Sequence, residues 1–256
     1  MSERTLVQAM TDGRTMIIRS FRLSLRNIDG LITALALPIM LMLMFDYLFG
    51  GAIRTDGHYV DYVVPGVLLV CVGFGAATTA VSVAADLTSG VMDRFRSMGV
   101  RGEALINGHV AASVARNLLS SLLVIAVAFA IGFRSHADLT HWLGAVGILA
   151  IFVLALSWFA AAIGTAVRSA EAANGVTFLV AFLPYASSAF VPIHTMPSWL
   201  QSFARNQPVT AVVDAIRGLL LGGSIAPSAW RSVAWSLAVI VASAALARVL
   251  FARRTS

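Results

Sequence analysis

The chain has 256 residues, of which 59% are hydrophobic and only 12% charged. Soluble domains run at roughly 45–50% and 25%, so a bilayer and not water is the solvent to reason with. Every one of the 18 basic residues is arginine; a P-loop grips phosphate through lysine, so any ATP-driven work needs a second protein. The single cysteine, Cys71, lies in an apolar run and leaves packing as its role, with no disulfide framework or thiolate metal cluster. A net charge of +6 suits anionic lipid better than nucleic acid, because the arginines flank apolar stretches.

From the N-terminus, Ile18, Phe21, Leu25 and Ile28 recur at steps of three and four, while Arg19, Arg22 and Arg26 repeat those steps one residue on. That pattern predicts a helix over residues 6–28 lying on the membrane surface, with its arginines meeting lipid phosphates or a cytoplasmic partner. No early run has the form of a cleavable signal. About 20 mostly apolar residues cross a hydrocarbon core, which predicts spans over 31–50, 63–85, 111–133, 143–167, 176–193 and 233–251. The fifth is short and carries Pro184, so a kinked or half-buried span is expected there. The expected fold is an all-α polytopic membrane protein with six transmembrane helices in one domain, residues 1–256.

Arginine placement sets the orientation, since cytoplasmic loops carry the excess of positive charge. With the N-terminus inside, only Arg54, Arg134, Arg205, Arg217 and Arg231 fall outside, and the rest, Arg116 among them, fall on the inner side. Both termini are therefore expected in the cytoplasm.

Between spans two and three, Met92, Phe95 and Met98 mark one side of a short helix, with Asp93, Arg94 and Arg96 elsewhere and Gly90 and Gly99 as its ends. Such a helix either plugs an aromatic knob into a groove on a soluble partner or rests as an ordinary interfacial loop. Between spans five and six, Pro208 opens and Gly222 and Gly223 close a helix with an apolar face. Thr210, Asp214 and Arg217 share its opposite face, and Asp214 and Arg217 are spaced to pair. Too short to cross, this helix is expected to be re-entrant or to lie on the surface, as a lid over a path or a cap on the bundle. Trp199, Trp230 and Trp235 near its ends fit an interfacial aromatic belt.

These segments together resemble the permease subunits of ABC-2 type exporters, especially the daunorubicin-resistance branch. The matching pieces are Asn27-Ile28-Asp29-Gly30-Leu31-Ile32, Pro38, Tyr47-Leu48-Phe49-Gly50-Gly51, Val64-Pro65-Gly66, the block 90–101 and the run from Met196 to Gly222. The resemblance implies that Met92, Asp93, Arg94, Phe95 and Arg96 form the coupling helix received by a separate ABC ATP-binding subunit. It also implies that the N-terminal helix touches that subunit, and that two ATPases work with two permeases, either identical or sisters. ATP and magnesium would sit on the partner, with no cofactor on this chain. Two positions depart from the family: Gly99 stands where proline usually follows, and Gln207 separates Asn206 from Pro208.

Asp46 is the one acid well inside an expected span, which makes it a candidate for a cationic substrate or else an interfacial or arginine-paired carboxylate. His136, Asp138 and His141 cluster in one loop but lack the spacing of a metal site, so an ordinary polar turn is expected. Small residues at Gly73, Gly75, Ala76, Ala80, Gly144, Gly147 and Ala160 to Gly164 suit close helix packing. The expected function is the transmembrane subunit of an ATP-driven exporter of amphipathic compounds, in a bacterial cell membrane. The alternative is a secondary transporter or channel, which usually carries ionisable groups near mid-span; none is expected here.

Overall fold

The computed structural model describes residues 28–49, 58–89, 102–223 and 226–255. Within them the ordered elements are helices, with no strand. Helix α1, Ile28–Met44, carries Pro38 and passes into one π-helical turn, Phe45–Phe49. Then come α2 (Tyr59–Thr88), α3 (Gly102–Ala130), α4 (Leu139–Ala166) and α5 (Ala170–Ala181). Two 3-10 turns, Leu183–Ala186 and Ile193–Thr195, lead to α6 (Ser198–Asn206), α7 (Pro208–Leu221) and α8 (Ala226–Thr255).

Four of these helices, α2, α3, α4 and α8, are long and apolar enough to cross a membrane. At 1.5 Å per residue a helix of this length reaches about 40–45 Å, beyond a hydrocarbon core of about 30 Å. This is why the helices begin earlier than the apolar runs: α2 starts at Tyr59, α3 at Gly102 and α8 at Ala226, against the expected 63, 111 and 233. Hydropathy marks the part in hydrocarbon, while the backbone ladder continues through polar residues into the interface.

α2 is apolar on every side and is therefore the centre of the bundle. Val63, Val64, Val67, Leu68, Leu69, Val70 and Val72 are all buried, and α1, α3, α4, α5 and α7 pack around it. α8 is the peripheral member, resting on α4 and α7. It leaves Leu237, Val241, Leu246 and Val249 exposed, as a helix bordering lipid does.

The fifth expected span differs from the structure. α5 covers Ala170–Ala181, about 18 Å of helix, and stops before Pro184. Its start is set by Ser169, whose hydroxyl accepts from the Ala172 N–H at 3.2 Å, a cap that a hydropathy window does not register. Its end follows from Pro184, which has no N–H to continue the ladder. Residues 187–192 are irregular and buried or half-buried.

For α7, burial decides against the surface alternative. Val209, Thr210, Val212, Val213, Ala215, Ile216, Leu219 and Leu220 are all buried, because the helix is wedged among α2, α4 and α8. It is an inner element at one end of the bundle and not a surface helix.

Candidate functional site

Ending α5 early creates a problem of backbone chemistry. Carbonyls between residues 183 and 190 lose their helical partners, and a bare carbonyl away from water costs several kcal/mol in a membrane. Side chains meet those of Leu183, Pro184, Ala186, Ser188, Ala189 and Phe190. Gln207 donates its amide to the Leu183 carbonyl at 3.3 Å and to that of Ala186. Ser187 Oγ donates to the Pro184 carbonyl. The Tyr62 hydroxyl donates to the Ser188 carbonyl at 2.9 Å, and the Tyr59 hydroxyl to that of Phe190 at 2.8 Å.

Arg217 completes the set. Its Nη2 donates to the Ser188 carbonyl at 2.7 Å and the Tyr62 carbonyl at 3.1 Å, and its Nη1 to Asp214 Oδ1 at 3.0 Å. The guanidinium carbon lies 3.8 Å over the Tyr62 ring, and Ser188 Oγ donates to Asp214 Oδ1 at 2.6 Å. Burial lowers the Arg217 pKa, with Tyr62 and Asp214 opposing that shift. The side chain is only 16% exposed against 42% for Asp214, so the cation is enclosed and its counter-ion sits at the rim. Planarity and five donors let arginine fill this site where a point-charge ammonium would leave acceptors bare. The segment after α5, residues 183–192, forms a strap that lies directly on α2: a Cβ on Gly66 would come within 2.6 Å of Ala189 Cβ.

A second polar cluster lies midway along α3, between it, α2 and α4. Arg116 Nη2 donates to Thr79 Oγ1 at 2.8 Å and approaches the Gly75 carbonyl at 3.4 Å. Thr79 donates to Ser113 Oγ at 2.7 Å, Ser157 donates to the same oxygen at 2.9 Å, and Asn117 donates to the Ser113 carbonyl at 2.9 Å. Gly75 admits Asn117, since a Cβ there would fall 1.8 Å from Asn117 Oδ1. This overturns two expectations. Arg116 belongs to the middle of a long helix and not to the inner flank, and a mid-span ionisable group does exist. Serines and threonines at 79, 113 and 157 were the available signal, each in an apolar run and each able to face a neighbouring helix.

At the opposite end from Arg217, His109 Nε2 lies 3.0 Å from Asp86 Oδ2. The pair joins α2 to α3 on either side of residues 90–101. Asp46 sits in the π turn after α1 and is half-buried. Among the described residues it has no hydrogen-bond or ion-pair partner, so the arginine-paired alternative is not realised there. Phe45 beside it stacks on Phe190 of the strap at 4.6 Å, which places Asp46 at the Arg217 end. Asp138 caps α4, accepting from the His141 N–H at 2.9 Å and the Thr140 hydroxyl at 2.8 Å. The cap hydrogen bonds from His141 and Thr140 pull its pKa down to about 2. Arg19, Arg22 and Arg26, and Met92, Asp93, Arg94, Phe95 and Arg96, lie outside the described residues.

Beside the break in α5 lies a small apolar cavity of about 50 Å³, partly open to the outside, between α2, α4, α5, α7 and α8. Leu69, Phe152, Leu183, Pro184, Val209 and Trp235 are among its walls.

Long apolar helices around a central buried one, with irregular backbone held by protein donors, define a multi-pass helical membrane protein. Residues 11–221 match the sequence profile of the ABC-2 type transporter, and the chain belongs to that family. It is 30% identical over 194 residues to a daunorubicin resistance ABC transporter permease protein of Streptomyces coeruleorubidus, covering 75% of this chain and 69% of that one. It is 26% identical over 241 residues to the doxorubicin resistance ABC transporter permease protein DrrB of Mycobacterium tuberculosis, covering 87% and 83%. It is 22% identical over 221 residues to the probable doxorubicin resistance permease DrrC of the same species, covering 86% and 80%.

Proposed function

We propose that this chain is the six-span permease subunit of an ATP-driven exporter that moves amphipathic or hydrophobic compounds out of a bacterial cytoplasm. Membership of the ABC-2 type transporter family carries the reading, and relatives named as drug-resistance permeases support the substrate class. ATP and magnesium belong to a separate ABC ATP-binding subunit, two copies of which work with two permeases; the lack of any lysine to serve a P-loop in this sequence supports that division. Both termini lie in the cytoplasm, as does the segment 90–101. Met92, Asp93, Arg94, Phe95 and Arg96 receive the push of ATPase closure, and Arg19, Arg22 and Arg26 brace the same subunit. The push tilts α1, α2 and α5 and opens the path at the Arg217 end. Asp46, at that end and without a partner of its own, meets cationic groups on the substrate. Only contacts that differ between the two states can drive such a shift.

The test is transport in vesicles holding the permease with its ATPase. A cationic amphipathic dye should be moved on addition of ATP and magnesium, with Phe95→Ala or Arg94→Glu abolishing movement while insertion persists. Unchanged transport in both variants would remove the coupling assignment. One observation favours an ATP-independent transporter or channel: Arg116 supplies the mid-span charge such proteins use. Flux that follows a proton gradient, without ATP, would select that reading.

A further inference from the structure

We propose that a groove between α3, α4 and α8 holds the headgroup phosphate of an anionic phospholipid, with Arg248, Asn107 and Trp158 as its donors. The groove is open to the outside and is lined by Ile106, Asn107, Trp158, Ala247, Arg248 and Phe251. Among the described residues, neither the Arg248 guanidinium, the Asn107 amide nor the Trp158 indole N–H has a hydrogen-bond or ion-pair partner within the chain. Arg217 and Arg116 are different, for both donate to acceptors of their own protein. Three N–H-bearing side chains from three helices thus line one groove without a partner among the described residues.

Depth and surroundings point to a lipid. Asn107 lies just over one turn inside the start of α3, Trp158 about two turns inside the end of α4, and Arg248 about two turns inside the end of α8. One to two turns is about 5–11 Å, the level at which headgroups meet acyl chains. Leu237 and Val241, eleven and seven residues before Arg248 and so on its face of α8, are 51% and 69% exposed. That side of α8 borders hydrocarbon, so a molecule reaching Arg248 arrives from the bilayer. The planar guanidinium matches two phosphate oxygens at once, and Ile106 and Phe251, part of the apolar cluster beneath, offer a wall to the first methylenes. Arg248 would repel the amine of a zwitterionic headgroup, which selects an anionic one such as phosphatidylglycerol; basic pockets between membrane helices are suited to such headgroups. The site rests on the chain lying in a bilayer and is independent of ATP coupling.

The test uses the full-length chain in mild detergent with dioleoyl phosphatidylglycerol, dioleoyl phosphatidylcholine or inorganic phosphate added separately. Retained lipid is counted by native mass spectrometry, and the unfolding midpoint is followed. Phosphatidylglycerol should be retained and should raise the midpoint. Arg248→Gln should weaken its retention about fivefold, equivalent to roughly 1 kcal/mol. Trp158→Phe, which keeps the ring and removes the donor, should weaken it by a smaller factor and supplies the answer if Arg248→Gln does not fold. Equal retention of phosphatidylglycerol by the wild type and the folded variants would overturn the site, as would equal retention of phosphatidylcholine. Inorganic phosphate raising the midpoint as far as the lipid would assign the groove to a free anion instead. Loss of a co-purifying protein in Arg248→Gln, with lipid retention unchanged, would assign it to a protein partner.

Discussion

Arg217 and Arg248 stand near opposite ends of the bundle and are used in opposite ways. The first is enclosed and satisfies its own chain: two strap carbonyls, a helix carbonyl and Asp214. The second faces a groove with no acceptor of its own. A charge spent internally holds irregular backbone at membrane depth, whereas a charge left without a partner marks where something else is expected. The same residue type, in two different apolar helices, thus serves structure at one end and recognition at the other.

The sharpest way to break this comparison is to remove each charge and measure stability in detergent without added lipid. Arg217→Gln should cost about 3 kcal/mol, because several strap carbonyls lose their donor at roughly 1–3 kcal/mol each. Arg217→Lys should recover only part of that loss. Arg248→Gln should change stability by less than about 0.5 kcal/mol, as for a surface substitution. Equal losses at the two positions would erase the distinction. Next in size is Gly66→Ala, which drives a methyl into Ala189 on the strap and should cost about 1–3 kcal/mol in the same unfolding measurement.

Gln207→Asn shortens the reach to Leu183 and Ala186, and should cost about 1 kcal/mol. A neutral result there would mean that the strap carbonyls find other donors. Asp46→Asn should leave stability unchanged while reducing transport of cationic compounds relative to neutral ones. Equal transport of both classes would end the proposal for Asp46. The smallest effect belongs to Asp138. Its folded pKa, about 2 against an ordinary 3.8, means that the cap's stabilisation is complete above the ordinary value and fades as pH falls towards 2. Asp138→Asn should flatten that acid limb of the unfolding profile and do little near neutrality.

How much of this was legible in the sequence depended on which force set each feature. Helices α2, α3, α4 and α8 were visible because hydrocarbon demands long apolar runs, and α7 because Pro208 and Gly222 punctuate it. The spacing of Asp214 and Arg217 revealed their pairing, but not that Arg217 reaches Ser188 and Tyr62, since those contacts join residues 29 and 155 positions apart. α5 was misplaced because its start depends on a hydroxyl cap and its end on a proline, features weaker than the apolar run beside them. Arg116 was assigned to the inner flank for a similar reason: hydropathy located the apolar run of α3 but not the two and a half turns of helix before it. The π turn at Phe45–Phe49 left no periodic trace at all. Gln207 appeared only as a departure from a family pattern, yet it caps the strap.

The most direct test of the account is affinity purification of this chain from its own cells in gentle detergent, with mass spectrometry of whatever remains bound. A P-loop ATPase in stoichiometric amount, lost in Phe95→Ala but retained in Arg248→Gln, is the predicted result. A chain that purifies without any ATPase and still moves substrate along an ion gradient would contradict it.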